Sequence, residues 1–104
     1  MTPTTAAAEA AIGALADPLR WRIVTALADE ELCVCHLVET LGVGQSLVSH
    51  HLRVLRDVGF VHGERHRYWT YYRLDPSAFA AVADAIGALG NSAPVPGSTR
   101  RPCC

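Results

Sequence analysis

The fold of this chain is decided by residues 31–59, which read Glu31-Leu-Cys-Val-Cys-His-Leu-Val-Glu-Thr-Leu-Gly-Val-Gly-Gln-Ser-Leu-Val-Ser-His-His-Leu-Arg-Val-Leu-Arg-Asp-Val-Gly59. The first half predicts a helix, since Leu37 and Leu41 lie four residues apart and therefore share a face. The segment Gly42-Val43-Gly44 ends that helix, because glycine accepts the positive φ that a helix end often requires. A second helix follows, and its predicted buried stripe comprises Val48, Leu52 and Leu55.

The polar side chains of the second helix predict contact with DNA. They fall away from the buried stripe and comprise Gln45, Ser46, Ser49, His50 and Arg53. Two short helices joined by a glycine-bearing turn are the pattern of a helix-turn-helix, whose second helix enters the major groove. Such side chains offer donors and acceptors to base edges and phosphates. An ordinary helical hairpin with a solvated polar face is the alternative that this pattern leaves open.

Residues 60–74 predict a two-stranded hairpin behind the second helix. They are rich in Val, Thr, Tyr and Trp, and a polar segment at His66-Arg67 separates two strand-like arms. An isolated hairpin is marginally stable, so its aromatic side chains are expected to pack on the helices. Arg65, His66 and Arg67 would then form a basic tip that contacts DNA. The predicted fold class is mainly α with a small β-hairpin, that is, a winged helix-turn-helix.

Charge is distributed unevenly along the chain. The net charge of −1 argues against a protein that coats nucleic acid indiscriminately. Residues 1–44 carry two basic and six acidic side chains, whereas residues 45–73 carry five basic and two acidic ones together with four of the five histidines. The positive segment is therefore the second helix plus the hairpin, where phosphate contacts are expected. Chance clustering of nine basic residues is the alternative.

Three regions are predicted along the chain. Residues 1–5 form a disordered N-terminus, residues 6–89 form the folded domain, and residues 90–104, rich in Pro and Gly, form a flexible tail. Asp17-Pro18 and Asp75-Pro76 are helix-start signals, since aspartate caps a helix and proline suits its first position. Asp29-Glu30-Glu31 predict a loop and the acidic start of the next helix.

The apolar stripes of the first and last helices predict association with a second subunit. No later element of the chain covers the last helix, which is therefore expected to pack against the first helix and against a partner. The predicted dimer interface comprises Ile12, Leu15, Phe79, Val82, Ile86 and Leu89. Packing of the last helix wholly within its own domain is the alternative.

The four cysteines predict a thiolate site. The N-terminus lacks a basic segment and so does not resemble a signal peptide, and no run of about 20 apolar residues predicts a membrane span. We therefore expect a cytoplasmic protein with reduced thiols, which favours metal ligands or redox sensors over structural disulfides. Cys33 and Cys35 diverge within a regular helix, so joint chelation requires the helix to begin near them. A helix N-terminus also favours the thiolate. Cys103 and Cys104 end the flexible tail.

These motifs together resemble the bacterial ArsR/SmtB metalloregulators. The resemblance covers about residues 12–89 and is carried by Glu-Leu-Cys-Val-Cys at 31–35, Gln-Ser-Leu-Val-Ser-His-His-Leu-Arg-Val-Leu-Arg-Asp-Val-Gly at 45–59 and Arg-Tyr-Trp-Thr-Tyr-Tyr-Arg-Leu at 67–74. It implies a homodimeric repressor that binds an inverted-repeat operator in double-stranded DNA and releases it when arsenite or antimonite binds thiolates. No motif of an enzyme is present.

The ligand set departs from the arsenite-sensing pattern of that family. Such sensors have a third cysteine three residues beyond the second, where this chain has Val38. The hypothesis is a site of Cys33, Cys35 and one of Cys103 or Cys104, because soft thiolates select thiophilic acceptors. Cadmium, lead or zinc is the alternative inducer, and disulfide formation among the four cysteines is a redox alternative. The family's zinc site on the last helix is not expected, since residues 75–104 contain no histidine.

The histidines receive separate interpretations. His36, beside the cysteines, is interpreted as a solvated surface residue, with a zinc-ligand role as the alternative. His50 is predicted to contact DNA, and His51 is predicted to be packed because it lies nearer the apolar side. His62 and His66 belong to the hairpin and are expected to contact phosphate.

Overall fold

Five helices and one antiparallel hairpin make up the computed structural model, which describes residues 5–103. The elements are α1 (Thr5–Ala16), α2 (Pro18–Leu27), α3 (Val34–Leu41), α4 (Gln45–Asp57), β1 (Val61–His66), β2 (Trp69–Leu74) and α5 (Pro76–Asn91). The predicted winged helix-turn-helix class is confirmed. The first helix begins one residue before the predicted Ala6, and the last continues two residues beyond the predicted Leu89. Cys104 and residues 1–4 lie outside the described residues, so the predictions made for them stay predictions.

Both predicted helix starts carry aspartate caps. Asp17 Oδ1 accepts the backbone N–H groups of Leu19 at 2.9 Å and Arg20 at 3.1 Å, and Pro18 occupies the first turn of α2. Asp75 Oδ1 accepts the Ser77 N–H at 2.9 Å ahead of α5. These caps satisfy amides that a helix leaves unpaired, so the sequence alone determines where α2 and α5 begin.

The turn between α3 and α4 has the predicted geometry. Gly42 ends α3 in the left-handed region with φ 68°, and Gly44 caps α4 with an extended backbone. Gly59 follows α4 with φ 90°. The acidic prediction for α3 is wrong, however: α3 begins at Val34, so Asp29–Glu31 lie in the loop and no acidic residue occupies its first turn. The N-cap is Cys33 instead.

The hairpin of β1 and β2 is called the wing below. The core of the described residues lies where α2, α3, α4 and the start of the wing meet. Its fully buried side chains are Ile23, Leu37, Val48, Leu52, Leu55, Phe60 and Val61. The predicted α4 stripe is thus confirmed. Phe60 also stacks on Phe79 of α5, with ring centroids 4.6 Å apart and an angle of 41° between the planes. The core therefore fixes the angle between α3 and α4 and anchors α5 at the base of the wing.

The wing pairs β1 with β2 from Val61↔Leu74 to His66↔Trp69. Arg67 occupies its turn with φ 59°, which places the tip at the predicted basic segment. The expectation that the wing aromatics pack on the helices holds for Tyr72, which packs against the core. It is wrong for Tyr68 and Trp69, which are 90% and 56% exposed, because the strands extend beyond the body of the domain.

The predicted dimer residues separate into two groups. Val82 is buried in the core, and Leu15 and Phe79 are partly buried against it, since α5 packs on α1 within the chain. Ile12, Ile86 and Leu89 remain 43%, 52% and 75% exposed. The exposed three form an apolar face on α1 and α5, and their role at a dimer interface stays a prediction.

Candidate thiolate site and nucleic-acid interface

Cys33 and Cys35 lie together because α3 begins between them. Cys33 is the N-cap, with an extended backbone (φ −91°, ψ 170°), and Cys35 is in the first turn. The two Sγ atoms are 2.6 Å apart, with Cys33 buried and Cys35 exposed. The divergence expected of residues i and i+2 in a helix does not apply, since Cys33 precedes the regular helix. The expectation that the helix begins near these cysteines is confirmed.

His36 joins the two sulfurs. Its Nδ1 lies 3.3 Å from Cys33 Sγ and accepts the Cys33 backbone N–H at 3.2 Å. The second of these is the hydrogen bond from the N-cap backbone to the N3 side chain that completes a capping box. The ligand atoms of Cys33, Cys35 and His36 all lie within 4.8 Å of one another. The interpretation of His36 as a surface residue captures its exposure but misses this proximity. The signal available in the sequence was its position three residues after a helix N-cap.

The two thiols are not equivalent. Burial opposes ionisation of Cys33, yet the Cys35 thiol and the backbone N–H groups of His36 and Cys35 donate to its sulfur and lower its pKa. The hydrogen bond to Cys33, followed by some loss of hydration and by the charge on Cys33, raises the pKa of Cys35. Cys33 is therefore the first to ionise, and the Cys35 S–H donates to its thiolate. Coordination of a thiophilic ion displaces that remaining proton.

A groove of about 480 Å³ opens beside the sulfurs, between α3 and the wing. Its walls comprise Cys33, Val34, Cys35, Val38 and Glu39 from α3 and its cap, Gln45 from α4, and Tyr68, Trp69, Thr70 and Tyr72 from the wing. The groove thus adjoins the thiolates, the first residue of α4 and the tip of the wing.

The tail does not join this group in the structure. Among residues 5–103, the clustered ligand atoms are those of Cys33, Cys35 and His36, and Cys103 is exposed and free. Cys104 lies outside the described residues. The predicted participation of Cys103 or Cys104 therefore stays a prediction.

The predicted DNA-reading residues share one surface. Gln45, Ser46, Ser49, His50 and Arg53 line a shallow depression along the N-terminal half of α4. Ser49 is half-buried and the other four are exposed, so their polar atoms are available to a partner. This arrangement follows from the opposite stripe of α4 being buried in the core.

The wing presents Arg65, His66 and Arg67 as exposed residues around its tip. Arg65 Nε donates to the Arg67 carbonyl at 3.4 Å. His62 Nε2 lies 2.7 Å from Asp75 Oδ2, and its expected contact with phosphate stays a prediction. The Ser77 hydroxyl and then His62 hold the pKa of Asp75 well below its usual range. His62 therefore ties the base of the wing to the start of α5.

His51 is packed, as predicted, and connects α4 to the first two helices. Its Nδ1 lies 3.3 Å from the Arg20 guanidinium, whose Nε donates to the Ala14 carbonyl at 2.7 Å. Burial lowers the pKa of His51, which Asp17 opposes and Arg20 reinforces. The neutral imidazole thus accepts from Arg20 and fixes one end of the buried face of α4. No local pattern in the sequence indicates Arg20 as its partner, since the two residues are 31 positions apart.

The sequence and the fold are both similar to those of known bacterial regulators. The family profile described as bacterial regulatory protein, arsR family, matches residues 17–62, from the N-cap of α2 into β1. The arsenical resistance operon repressor of Escherichia coli is 40% identical over 73 residues, which cover 69% of this chain and 62% of the relative. A structure described as a possible transcriptional regulator for arsenical resistance is 32% identical, with a TM-score of 0.69, over 74% of this chain and 80% of that one. The chain belongs to the ArsR family.

The ArsR/SmtB resemblance is thereby confirmed, and its members named here are transcriptional regulators rather than enzymes. The homodimeric winged helix-turn-helix DNA-binding domain of Mb0332 from Mycobacterium bovis shares the fold, with 24% identity, a TM-score of 0.67, and coverage of 82% of this chain and 81% of that one. The chain spans 46% to 62% of the length of curated ArsR relatives that it matches. Among residues 5–103, no helix combines the length and apolarity that a membrane crossing requires.

Proposed function

We propose that this ArsR-family chain is a cytoplasmic transcriptional repressor that binds operator DNA as a homodimer and releases it when arsenite or antimonite binds its thiolates. One observation carries the proposal: Cys33 caps α3 and Cys35 lies in its first turn, and α3 is joined by the segment 42–44 to α4, the helix that presents the polar face. A ligand at the sulfurs therefore acts within the helix-turn-helix itself.

The surface chemistry of α4 and the wing supports the DNA half of the proposal. Gln45, Ser49 and Arg53 can approach base edges, while Arg65 and Arg67 at the wing tip supply charge for phosphates. With one α4 per half-site, a two-fold dimer matches an inverted repeat.

The exposed apolar face on α1 and α5 supports the dimer. Ile12, Ile86 and Leu89 are 43%, 52% and 75% exposed within the single chain, and a second copy of the same face would bury the apolar surface that they leave in contact with water. The homodimeric state of the Mycobacterium bovis domain is in keeping with this use of the fold.

The donor set supports a trivalent metalloid as inducer. Two sulfurs are already together, and arsenic(III) takes a third thiolate, for which Cys103 or Cys104 is the candidate because the tail is exposed along residues 92–103. The relatives named for arsenical resistance are in keeping with this ligand. Binding would shift the dimer away from its DNA-binding shape only by the difference in ligand affinity between the two shapes.

Coupling to DNA is supported by two contacts between the site and the wing. Leu32, next to Cys33, forms a β-bridge with Tyr72, and the His36 ring lies 6.3 Å from the Tyr71 ring. A displacement of the α3 cap on ligand binding would therefore move β2 and the basic tip.

A second candidate inducer is cadmium, lead or zinc, and the position of His36 favours it. Two thiolates and one imidazole are three ligands of a tetrahedral site, to which a tail cysteine would add the fourth. The 2.6 Å between the sulfurs would widen to about 3.8 Å for metal–sulfur bonds of about 2.3 Å.

The test uses operator DNA selected from random duplexes by the reduced protein. Fluorescence anisotropy of that duplex is followed during separate titrations with arsenite, cadmium and peroxide. Release by arsenite supports the metalloid sensor, release by cadmium alone supports the four-ligand site, and release by peroxide without metal supports the redox alternative. Failure to select or bind any duplex would overturn the repressor itself.

Single variants assign the ligands. Cys33→Ser and Cys35→Ser should keep operator affinity but weaken the arsenite response more than about a hundredfold, since loss of even an outer-shell partner costs up to that much. The double variant Cys103→Ser/Cys104→Ser tests the tail, and His36→Gln separates the two inducer classes. Unchanged arsenite response in the double tail variant would exclude the tail as the source of the third thiolate.

A further inference from the structure

His51 is a buried titratable group that lies outside both surfaces described above. Apart from Cys33, it is the only polar side chain of residues 6–103 that the fold buries, and 7% of its surface is exposed. It follows His50 directly in α4, with ring centroids 5.1 Å apart. His50 lines the polar depression of α4, whereas His51 lies inside the domain. A buried polar group is costly unless it is hydrogen-bonded, so the partner of His51 is part of what holds α4 in place.

The partner of His51 is Arg20, which also holds α1. Arg20 Nη1 lies 3.3 Å from His51 Nδ1, and Arg20 Nε donates to the Ala14 carbonyl at 2.7 Å. A guanidinium has only donors, so Nδ1 accepts and the ring proton is on Nε2. Asp17 Oδ1 accepts the Arg20 backbone N–H and so fixes the residue at the start of α2. One side chain therefore joins the last turn of α1 to the middle of α4.

This link adds direction to the apolar packing of α4. The stripe of Val48, Leu52 and Leu55 is buried, but apolar attraction is non-directional, whereas a hydrogen bond depends on the alignment of donor and acceptor. Helix α1 also carries Ile12 of the proposed dimer interface. The angle between α4 and α1 therefore sets the angle and separation between the two α4 helices of a dimer. Operator half-sites lie about 34 Å apart, so that geometry decides the fit to DNA.

We propose that Arg20 and His51 are positioning residues for operator binding. While His51 is neutral, its hydrogen bond with Arg20 holds α4 at the angle to α1 that the operator requires, and protonation of His51 releases α4 from that angle. Both residues act through α4, because His51 is buried. The proposal rests on the DNA binding proposed above and does not depend on which ion the thiolates bind.

Protonation of His51 opposes the link in two ways. The added proton goes to Nδ1, so two donors face each other, and two positive charges then lie 3.3 Å apart. Burial is the largest influence on the pKa of His51 and lowers it below 6.5; Asp17 opposes this shift, and Arg20 and His50 add to it. Helix α1 contributes the Ala14 carbonyl, which binds Arg20 rather than the ring. Operator affinity should therefore fall below pH 6.5, where the free protein takes up a proton that operator binding must expel.

The direction of this pH dependence separates His51 from the surface histidines. Protonated His50 or His66 would add positive charge near the phosphates, and so would raise DNA affinity as the pH falls. Protonation of His51 lowers affinity instead. A comparison of the parent with a variant that lacks only the titrating ring of His51 isolates its contribution, since the surface histidines are the same in both proteins.

The test measures operator affinity by fluorescence anisotropy of the selected duplex at fixed ionic strength, from about pH 7.5 to about pH 5.5. Circular dichroism confirms the fold at each pH, and the His51 ring signals in the NMR spectrum of the free protein give the pH of half-protonation. The comparison variant is His51→Asn, whose amide oxygen can replace Nδ1 and does not titrate. At half-protonation the parent should lose about twofold in affinity per subunit, or about fourfold per dimer, relative to that variant.

His51→Gln separates positioning from stability. Its acceptor would lie nearer the former Nε2 position, so the link is lost at every pH. Operator affinity of the folded protein should fall at least about tenfold at neutral pH, the size of one hydrogen bond to a charged group. Affinity for an unrelated duplex, which depends on charge, should stay within about twofold.

Arg20→Met removes the link from the other side, so its operator affinity should also be low and show no further loss below pH 6.5 from His51. It replaces His51→Asn in the pH comparison if that variant does not fold. The matched control is Arg22→Met, which removes an exposed arginine of α2 and should keep both the operator preference and the pH dependence.

Two results would overturn the proposal. One is a ratio of parent to His51→Asn affinity that stays constant with pH, and the other is an equal loss for operator and unrelated duplex in His51→Gln. Either result leaves the repressor intact, because the parent still binds its operator. A parent that binds no duplex at any pH would refute the repressor, and this proposal with it.

Discussion

Leu32 and Tyr72 exchange a pair of backbone hydrogen bonds. The Tyr72 N–H donates to the Leu32 carbonyl at 2.8 Å, and the Leu32 N–H donates to the Tyr72 carbonyl at 3.2 Å. Tyr72 also pairs with Gly63 on the other side, so Leu32 acts as a one-residue third strand of the wing. Since Cys33 follows Leu32, the thiolate site is held to the wing by main-chain contacts that no side-chain substitution in the wing removes.

A substitution at Gly63 tests how tightly the wing is packed at the junction where Leu32 pairs with Tyr72. A Cβ at Gly63 would lie 3.1 Å from Thr70 Cγ2 and 3.1 Å from Tyr72 Cε1, and both belong to the strand that holds Leu32. Gly63→Ala should therefore lower the free energy of unfolding by about 1 kcal/mol, the cost of modest overpacking. Urea denaturation measures it. Gly87→Ala is the control, because nothing lies within 4 Å of its added Cβ in helix α5, and it should stabilise the protein by up to about 1 kcal/mol. Equal changes in the two variants would show that the junction is loose.

The basic residues of α4 and the wing should govern the salt dependence of DNA binding. Arg53→Ala, Arg65→Ala and Arg67→Ala should each reduce the slope of log affinity against log salt by about 1 if the side chain contacts a phosphate. Anisotropy titrations between 50 and 200 mM salt, about the range over which phosphate contacts dominate, measure the slope. Arg22→Ala is the matched control, since Arg22 is exposed on α2. A slope that changes as much for Arg22 as for the three others would contradict this assignment.

The apolar face on α1 and α5 should control oligomeric state. Ile86→Asp and Leu89→Asp place a carboxylate in the proposed interface, and a buried unpaired charge costs several kcal/mol per copy. Sedimentation at micromolar concentration should then show a monomer with the fold preserved, because both positions are exposed in the single chain. Val95→Asp is the control, as Val95 is 73% exposed in the tail. A dimer that survives both interface variants would mean that subunits associate elsewhere.

His51 should make stability depend on pH. Burial lowers its pKa in the folded chain, with Asp17 opposing and Arg20 and His50 adding to the shift. Because the folded pKa lies below the unfolded value of about 6.5, the unfolded chain takes up the proton first. The contribution of His51 to the free energy of unfolding is therefore fully present above a pH of about 6.5, and it decreases as the pH falls below that value. The aspartates with lowered pKa, Asp17 and Asp75, lose their contribution only below their ordinary value of 3.8.

Urea unfolding at pH 7.5, 6.5 and 5.5 separates these contributions. His51→Asn keeps an acceptor for Arg20 without a titrating ring, so it should flatten the decrease of stability between those values. An unchanged pH slope in His51→Asn would assign the decrease to other groups.

Much of this fold is local enough to be predicted from sequence. The α4 stripe of Val48, Leu52 and Leu55, the glycine turn at Gly42 and the aspartate caps at Asp17 and Asp75 each depend on residues within one or two turns. The packing of His51 followed from the same stripe. The predictions that were wrong also have a physical cause. The wing extends into solvent, so Tyr68 and Trp69 stay exposed, and strand propensity carries no information about how far a hairpin extends beyond its domain.

Helix periodicity, caps and residue type act over short distances, so residues 31–74 were enough to predict the helix-turn-helix, the basic wing and a helix start near Cys33 and Cys35. The surroundings of those cysteines depend instead on how distant segments pack. The pairing of Leu32 with Tyr72 brings residues 40 positions apart into contact, and the groove against Trp69 and the Arg20–His51 contact depend likewise on how separate elements pack. Such contacts follow from burial of a shared core, which fixes the elements in space, and no local pattern encodes them.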